Sequence, residues 1–244
     1  MCELFSLAGK KALVTGGGRG LGRGIALALA RAGADVAVAA RTRTEIEQVA
    51  AEIRSLGRTS TALTVDVRDL SAVERLVAET LQVFGRLDIL VTAAGTNIRA
   101  PAAEFTREDW DLLLETNLRG VFFTCQAAAR SMMTTGGGKI INIASLTSVI
   151  ALPNISVYGI TKGGVAQLTK ALALEWARYN IQVNAIGPGY FPTKMTQPVF
   201  HDAQRRQEIL SRIPAGRFGD PEADLAGVAV FLASRASDYI TGQI

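Results

Sequence analysis

Short apolar segments with strand character alternate along this chain with longer segments of helical character. The predicted strands are residues 11–15, 35–39, 60–65, 88–92, 139–144 and 182–186. The predicted helices are residues 25–31, 44–55, 71–84, 107–133, 156–179 and 221–233. Regular alternation of this kind is typical of an α/β fold, a doubly wound parallel sheet of Rossmann type with helices on both faces.

Composition agrees with a single domain spanning residues 1–244. This length is sufficient for one large core, and 48% of the residues are hydrophobic while only 6% are aromatic. The 24 glycines suit tight turns between buried parallel strands and closely packed helices. We find no internal repeat, linker or low-complexity segment that would divide the chain.

The distribution of charge and cysteine disfavours several classes of protein. The formal net charge of +4 is spread along the chain, whereas a nucleic-acid-binding protein needs a clustered basic patch. No run of about 18 or more uninterrupted apolar residues is present, so no membrane contact is expected. The two cysteines, Cys2 and Cys125, predict reduced thiols in a cytoplasmic protein rather than a disulfide scaffold or a metal site.

The first predicted strand leads into a glycine-rich turn that contains Gly16, Gly20 and Gly22, and a predicted helix follows. In this context glycines permit a tight turn and the close approach of a pyrophosphate, whose charge the helix N-terminus stabilises. Glycines also occur in loops for steric reasons alone. The turn therefore indicates a nucleotide site only in combination with other motifs.

A candidate proton-transfer site lies in the second half of the chain. Tyr158 and Lys162 are four residues apart, so in a helix they occupy one face, one turn from each other. An ammonium beside a phenol favours the phenolate, which predicts a pKa for Tyr158 below its free value of about 10. Ser145, thirteen residues before the tyrosine, could hydrogen-bond the same substrate oxygen.

Taken together, these motifs resemble the short-chain dehydrogenase/reductase family. The matching residues are Thr15, Gly16, Gly20, Gly22, Asp66, Val67, Ala93, Ala94, Gly95, Asn117, Ser145, Tyr158, Lys162, Pro188 and Gly189. Their order and spacing extend the resemblance from about Leu7 to the last residue. Within the family, residues 184–196 and 217–221 most resemble gluconate 5-dehydrogenases and related sugar-acid reductases.

The resemblance implies a catalytic role for four residues. Tyr158 would be the general acid in carbonyl reduction and the base in alcohol oxidation. Lys162 would lower the pKa of Tyr158 and hydrogen-bond the nicotinamide ribose, and Ser145 would polarise the substrate oxygen. Asn117 would bind a water that links Lys162 to solvent. The hydride itself belongs to the nicotinamide.

The resemblance also implies a set of contacts to the cofactor. These residues are Gly16, Arg19, Gly20, Leu21, Gly22, Arg41, Thr42, Asp66, Val67, Ala94, Gly95, Tyr158, Lys162, Pro188, Gly189 and Thr193. Asp66 and Val67 would flank the adenine, and Thr193 would reach the carboxamide or the phosphates.

The choice of cofactor follows from the residues after the second predicted strand. NAD enzymes commonly place an acidic residue there to hold the ribose 2′-hydroxyl, but this chain continues with Arg41, Thr42 and Arg43. A guanidinium binds phosphate through paired, charge-assisted hydrogen bonds, and Arg19 is available in the glycine turn. We therefore expect NADP, with NAD as the alternative if Arg41 and Arg43 are merely solvated.

Two further segments bear on the substrate. Residues 190–214 contain Pro192, Pro198 and Pro214, follow a strand end, and are predicted to form a lid of short helices over the site. The single histidine, His201, falls in this lid and is interpreted as exposed rather than functional. Arg99, after the fourth predicted strand, is a candidate for binding a substrate carboxylate.

The chain departs from the family pattern at two points. Thr92 stands where the family commonly has an asparagine that braces the central sheet, so a structural compromise is expected. The sequence also stops at Ile244, before the family's usual last strand, which predicts an unpaired sheet edge at residues 182–186. Glycines in the helix at 156–179 suit close packing, either on the protein's own sheet or against a second copy. In the family this helix packs at a subunit interface, so the resemblance implies a homotetramer or homodimer assembled through helices 107–133 and 156–179.

These observations favour an NADP(H)-dependent oxidoreductase that acts on a small-molecule ketone or secondary alcohol of a sugar acid. One alternative is a 3-oxoacyl-carrier-protein reductase, which would need a basic surface near the site to receive its acidic carrier. Another is a cofactor-binding regulator without catalysis. The presence of Asn117, Ser145, Tyr158 and Lys162 argues against the regulator.

Overall fold

The computed structural model describes residues 3–197 and 202–244. Its strands are β1 (Lys11–Thr15), β2 (Asp35–Ala40), β3 (Ser60–Thr64), β4 (Ile89–Thr92), β5 (Gly138–Ile143) and β6 (Ile181–Ile186). They form a sheet of order β3-β2-β1-β4-β5-β6 in which every neighbouring pair is parallel. The order reverses between β1 and β4, and that crevice at the carboxyl ends is where this architecture binds ligands.

The helices cover both faces of the sheet. They are α1 (Gly20–Arg31), α2 (Arg43–Ser55), α3 (Leu70–Phe84), α4 (Arg107–Leu114), α5 (Gly120–Met132), α6 (Ser156–Trp176), α7 (Ala203–Leu210) and α8 (Ala226–Ala233). One apolar layer joins α1, α2 and α8 to the sheet, and a second joins α3, α5 and α6 to the opposite face. The predicted doubly wound α/β fold is confirmed.

The central strands are buried on both faces, which explains their continuous apolar sequences. All four residues of β4 are buried, and β1 is buried from Ala12 to Thr15. Register pairs Val14 with Val38 on one side and with Val91 on the other. Because a parallel sheet aligns its carboxyl ends, the turns after β1, β4 and β5 meet at one edge. This geometry brings together motifs that are more than a hundred residues apart in sequence.

Three predicted helices differ from the observed ones. The helix predicted at 107–133 is divided by a π-type turn, Glu115–Arg119, between α4 and α5. The helix predicted at 221–233 begins only at Ala226, because the Asp220 carboxylate accepts hydrogen bonds from the Glu222 and Ala223 amides and holds a separate turn. The remaining predicted boundaries lie within a few residues of those observed, apart from α1, which begins at Gly20 rather than at residue 25.

The prediction of an unpaired edge at β6 is wrong. The Ala185 amide donates to the Gln243 carbonyl and the Gly242 amide donates to the Val183 carbonyl, both at 2.8 Å. The Asn184 side chain also donates to the Ile240 carbonyl at 2.8 Å. The last residues of the chain therefore occupy hydrogen-bonding positions along this strand, a use of the backbone that the sequence pattern did not reveal.

Thr92 is integrated into a buried polar cluster that connects β4 to β5. Its hydroxyl donates to the Asn142 side-chain oxygen at 2.7 Å, and the same oxygen lies 3.3 Å from the Cys125 sulfur. The Asn142 amide group donates to the Thr169 hydroxyl on α6 at 3.1 Å. The expected compromise at Thr92 therefore takes the form of a short hydrogen bond within the sheet.

Of the predicted lid, residues 190–197 and 202–214 are described and include α7, whereas Pro198 and His201 lie outside the described residues. Cys2 lies outside them as well. None of the helices in the described ranges is both long and apolar enough to cross a membrane.

Candidate active site

The glycine turn after β1 approaches the end of β4 closely. Gly16 has φ +68°, and a Cβ at this position would lie 2.5 Å from the Ala94 amide nitrogen. Gly20 has φ +54° and faces Thr193, whose methyl group would be 3.3 Å from an added Cβ. Arg19 precedes the first turn of α1 and its side chain makes no capping hydrogen bond. The turn thus presents backbone amides at a helix N-terminus, as binding of a pyrophosphate requires.

The proposed proton-transfer residues come from three elements at the same sheet edge. Ser145 follows β5, Tyr158 and Lys162 project from α6, and Asn117 lies on the π-type turn between α4 and α5. The ammonium of Lys162 is 5.8 Å from the centre of the Tyr158 ring. Turns of this π type are frequently found at functional sites.

Lys162 is almost completely buried, with 4% of its surface exposed. Its ammonium donates to the Ile143 carbonyl at the end of β5 at 2.7 Å. Burial disfavours the charged form and lowers the pKa of Lys162 to about 8. The side chain is therefore fixed in place and can exchange its proton near neutral pH.

The environment of Tyr158 differs from the sequence-based expectation. Burial raises the pKa of the phenol, and the nearby Ser145 hydroxyl and Arg99 guanidinium oppose this rise without cancelling it. The sequence predicted that Lys162 lowers the pKa of Tyr158, but the protein's own groups together do not lower it. The physical reason is that both partners lose hydration, so the charged forms of tyrosine and lysine are disfavoured together.

Ser145 is oriented by two hydrogen bonds that its side-chain oxygen accepts. The donors are the Thr147 amide at 3.1 Å and the Thr147 hydroxyl at 3.0 Å. With its lone pairs engaged in this way, the Ser145 hydroxyl can direct its own proton towards another oxygen. Ser148 secures the same turn, because its hydroxyl donates to the Lys162 carbonyl on α6 at 2.8 Å.

Asn117 is fully buried behind the cavity wall and is engaged with the segment after β4. Its side-chain oxygen accepts from the Thr96 amide and its amide group donates to the Thr96 carbonyl, each at 2.8 Å. The amide group also lies 3.3 Å from the Thr161 hydroxyl. The side chain therefore fixes the loop beside Lys162, while the predicted water-binding role stays a prediction.

The end of the site that would receive the ribose 2′-phosphate contains both basic and acidic groups. Arg19 pairs with Glu45 at 2.9 Å, and Arg41 lies in the same cavity wall. Arg43 instead pairs with Glu47 on α2 at 2.6 Å, so this guanidinium is engaged elsewhere. Glu45 was not predicted as a site residue, since an acid in the first turn of a helix is explained by the helix dipole alone.

Asp66 is held in place by Arg68. The guanidinium contacts both carboxylate oxygens, the shortest distance being 2.7 Å, and the Arg68 amide donates to the carboxylate at 3.0 Å. These hydrogen bonds hold the pKa of Asp66 below its usual value. Asp66 remains ionised and rigid beside Val67, as a wall for an adenine ring would need to be.

A single cavity of about 740 Å³ connects the glycine turn with the proton-transfer residues. All sixteen predicted cofactor contacts and Ser145 line it, whereas Asn117 and Arg99 do not. Additional lining residues that the sequence did not single out include Glu45, Thr96 and Asn97. These positions follow no motif, so only the fold could assign them to the cavity.

Arg99 is exposed and lies in the electrostatic environment of Tyr158. Loss of hydration, followed by the nearby Arg205 guanidinium, lowers the pKa of Arg99, and Tyr190 and Tyr158 oppose this change. The guanidinium remains charged, because its ordinary pKa lies far above neutral. A cation thus acts electrostatically on the phenol.

Comparison with known proteins agrees with this geometry. Residues 16–244 match the family described as "Enoyl-(Acyl carrier protein) reductase". The chain is 44% identical over 242 residues to the gluconate 5-dehydrogenase of Gluconobacter oxydans, an alignment that covers 99% of this chain and 94% of the relative. It is 48% identical over 241 residues to the 2-dehydro-3-deoxy-D-gluconate 5-dehydrogenase of Escherichia coli. That alignment covers 98% of this chain and 93% of the relative.

A solved structure gives the same result. The gluconate 5-dehydrogenase of Burkholderia cenocepacia in complex with NADP and tartrate is 42% identical, with a TM-score of 0.95 over 99% of this chain and 94% of that one. The chain therefore belongs to the short-chain dehydrogenase/reductase family. It is an oxidoreductase of the class that interconverts hydroxyl and keto groups.

Proposed function

We propose that this protein is an NADP(H)-dependent oxidoreductase that interconverts a ketone and a secondary alcohol on a sugar acid. The observation that carries the proposal is the single cavity in which the glycine turn, Ser145, Tyr158 and Lys162 meet. The names of the relatives support a gluconate-type substrate. NADP is the preferred cofactor and NAD the alternative.

In the reductive direction, Tyr158 donates its proton to the substrate oxygen. Its raised pKa keeps the phenol protonated at neutral pH, which suits a general acid. Ser145 donates a hydrogen bond to the same oxygen and stabilises the charge that develops there. Lys162 holds a proton close to Tyr158, and Asn117 fixes the adjoining loop. The nicotinamide, when bound, supplies or accepts the hydride.

The cofactor would lie along the cavity from the glycine turn to Tyr158. Backbone amides near Gly20 and the N-terminus of α1 would hold the pyrophosphate, with Thr193 above them. Arg19 and Arg41 would bind the 2′-phosphate.

An anionic substrate suits the surroundings of Tyr158. The Arg99 guanidinium is near enough to influence the titration of this phenol, so a substrate carboxylate could pair with it while the ketone faces Tyr158. The described parts of the predicted lid, residues 190–197 and 202–214 with α7, would close over the bound substrate. Closure would exclude water and strengthen both contacts.

A homodimer or homotetramer would bury an exposed face of α6. Ile160 and Leu174 on this helix are 51% and 84% exposed, and a Cβ at Gly163 would meet no atom within 4 Å. Apolar side chains around an open glycine suit close packing against a second copy. Light scattering should show an oligomer that Leu174→Lys weakens and Val83→Lys on α3 does not.

The compartment we propose is the cytoplasm.

The function is tested with a panel of substrates and a spectroscopic assay of NADPH. We expect absorbance to decay with 5-keto-D-gluconate and related keto acids and to change little with acyl thioesters. Preference for an acetoacetyl thioester would instead support the alternative of a 3-oxoacyl-carrier-protein reductase. Absence of turnover on every substrate, with NADPH still bound, would support a non-catalytic regulator.

A further inference from the structure

The buried Thr147 hydroxyl donates a hydrogen bond to the Ser145 hydroxyl in the wall of the cavity. Thr147 is 8% exposed, and the two side-chain oxygens are 3.0 Å apart. The Ser145 oxygen is the one partner found for the Thr147 hydroxyl among the described residues. Because a hydroxyl carries a single proton, the proton of Thr147 is committed to Ser145.

Other buried threonines use their hydroxyls differently. Thr80, Thr124 and Thr169 each donate to the backbone carbonyl four residues earlier in their own helix, at 2.8, 2.6 and 2.8 Å. Those hydrogen bonds satisfy the hydroxyl locally and reach no other side chain. Thr147 instead donates to a second hydroxyl, so its hydrogen bond satisfies no backbone group.

The turn that carries Ser145 is held without the Thr147 hydroxyl. The Thr147 amide donates to the Ser145 side chain at 3.1 Å, and the Ser148 amide donates to the Ser145 carbonyl at 2.9 Å. The Ser148 hydroxyl accepts from the Ser145 amide at 3.3 Å and donates to the Lys162 carbonyl on α6 at 2.8 Å. All four hydrogen bonds would remain if the Thr147 hydroxyl alone were removed.

The two donors on the Ser145 oxygen determine where its own proton points. A hydroxyl oxygen has two lone pairs, and the Thr147 amide and hydroxyl occupy both. The Ser145 proton is left to point away from Thr147, and donors on an oxygen polarise its hydroxyl and strengthen the hydrogen bond that it donates. Burial raises the pKa of Tyr158, and a hydrogen bond from Ser145 opposes this rise, as a donor to the phenol oxygen does.

We propose that Thr147 is a positioning residue whose hydroxyl occupies a lone pair of the Ser145 oxygen and thereby directs the Ser145 proton to the substrate oxygen. Tyr158 then finds no free lone pair on Ser145 and donates its proton to the substrate instead. This assignment rests on the proposed function as a keto-acid reductase. The contribution of Thr147 grows as negative charge develops on the substrate oxygen, so it belongs to the transition state more than to the bound substrate.

The test measures hydride transfer from NADPH to 5-keto-D-gluconate in a single turnover, since slow product release cannot then conceal the chemical step. Thr147→Val removes the hydroxyl and keeps the amide and nearly the same volume. It should lower the rate by about tenfold, while the dissociation constants of NADPH and D-gluconate stay unchanged. Thr147→Ser restores a hydroxyl and should stay within about twofold of the wild-type rate. If Thr147→Val does not fold, Thr147→Ala carries the same expectation.

A double-mutant cycle separates positioning from packing. In a Ser145→Ala background, Thr147→Val should cause no further loss of rate, because the oxygen through which Thr147 acts is gone. Thr124→Val is the matched control for the loss of a buried threonine hydroxyl. Within the described part of the chain that hydroxyl bonds only the Gly120 carbonyl, so this variant should keep the wild-type rate.

Three results would overturn the role of Thr147. A wild-type rate for Thr147→Val would show that Ser145 is directed without this hydroxyl. An equal loss for Thr147→Ser and Thr147→Val, or a loss that persists in the Ser145→Ala background, would make Thr147 a packing residue. In each case, wild-type protein that reduces 5-keto-D-gluconate leaves the proposed function intact. Wild-type protein inactive on every keto sugar acid would refute the proposed function and this inference with it.

Discussion

The Arg19 guanidinium and the Glu45 carboxylate form an ion pair, with 2.9 Å between nitrogen and oxygen, in the wall of the cofactor cavity. Glu45 also lies beside the glycine turn, because a Cβ on Gly18 would be 3.1 Å from the Glu45 Cβ. Arg19, one of the two arginines assigned to the 2′-phosphate, is thus already paired with an acid. A bound phosphate has to share this guanidinium or displace the carboxylate from it.

Glu45→Gln should therefore strengthen NADPH binding, by about fivefold at low ionic strength, because it removes a competitor for Arg19 and a negative charge near the phosphate. Fluorescence titration measures the dissociation constant at two salt concentrations, and the gain should shrink at the higher one. Glu47→Gln is the matched control, since Glu47 pairs with Arg43 and does not line the cavity. Equal effects of both variants would contradict a local role for Glu45.

Arg41→Asp should weaken NADPH binding by about ten- to hundredfold and change NADH binding little. The aspartate repels a 2′-phosphate but accepts a hydrogen bond from a 2′-hydroxyl. Dissociation constants for both cofactors, measured on wild type and variant, check this expectation. A wild-type protein that already binds NADH more tightly would refute the assignment before the variant is made.

The sequence predicted the fold because strand and helix periodicities are local properties. Buried parallel strands such as β4 read as continuous apolar runs, and the glycine turn has a geometric signature of its own. The interruption at Glu115–Arg119 could not be predicted, since the surrounding residues follow a helical pattern. The hydrogen bond from the Ala185 amide to the Gln243 carbonyl was also not predicted, because a backbone hydrogen bond does not depend on the pattern of side chains.

Within the site, residues that belong to a sequence motif were assigned from the sequence. Residues that reach the cavity only through the fold were not. Tyr158 and Lys162 are four residues apart, and this spacing in the sequence predicts that they share one face of a helix. Asn97 and Glu45 belong to no pattern and become candidates only through their surroundings in the fold. The pKa of Tyr158 was predicted in the wrong direction, because the sequence gives the charge of Lys162 but not the burial of both groups.

Lys162 should make the protein more stable as the pH rises. Its pKa is depressed in the folded state to about 8 from an ordinary value of 10.5, so the unfolded chain binds more protons between these pH values. Relative to Lys162→Met, wild-type protein should gain about 3 kcal/mol of unfolding free energy across this window. Urea denaturation at pH 7, 8, 9 and about 10 checks it. If the free energy of unfolding changed with pH in the same way for the two proteins, a buried Lys162 with a lowered pKa would be contradicted.

Thr92→Val should cost about 1–2 kcal/mol of stability, because it removes the donor to a buried Asn142 oxygen. Thr124→Val is the matched control, since among the described residues the buried Thr124 hydroxyl bonds only the Gly120 carbonyl of its own helix. Chemical denaturation compares the two variants. A loss for Thr92→Val that does not exceed the loss for Thr124→Val would mean that the hydrogen bond between Thr92 and Asn142 does not brace the sheet.

We propose that Tyr158 transfers the proton in an NADPH-dependent reduction of a keto sugar acid. The most direct measurement is the rate of NADPH oxidation with 5-keto-D-gluconate for wild type and Tyr158→Phe, together with the dissociation constant of NADPH for each. We expect turnover by wild type, a loss of at least about a hundredfold in kcat for the variant, and nearly equal NADPH affinity, since the ring is kept while its proton is removed. A Tyr158→Phe enzyme with a near-normal rate would contradict it.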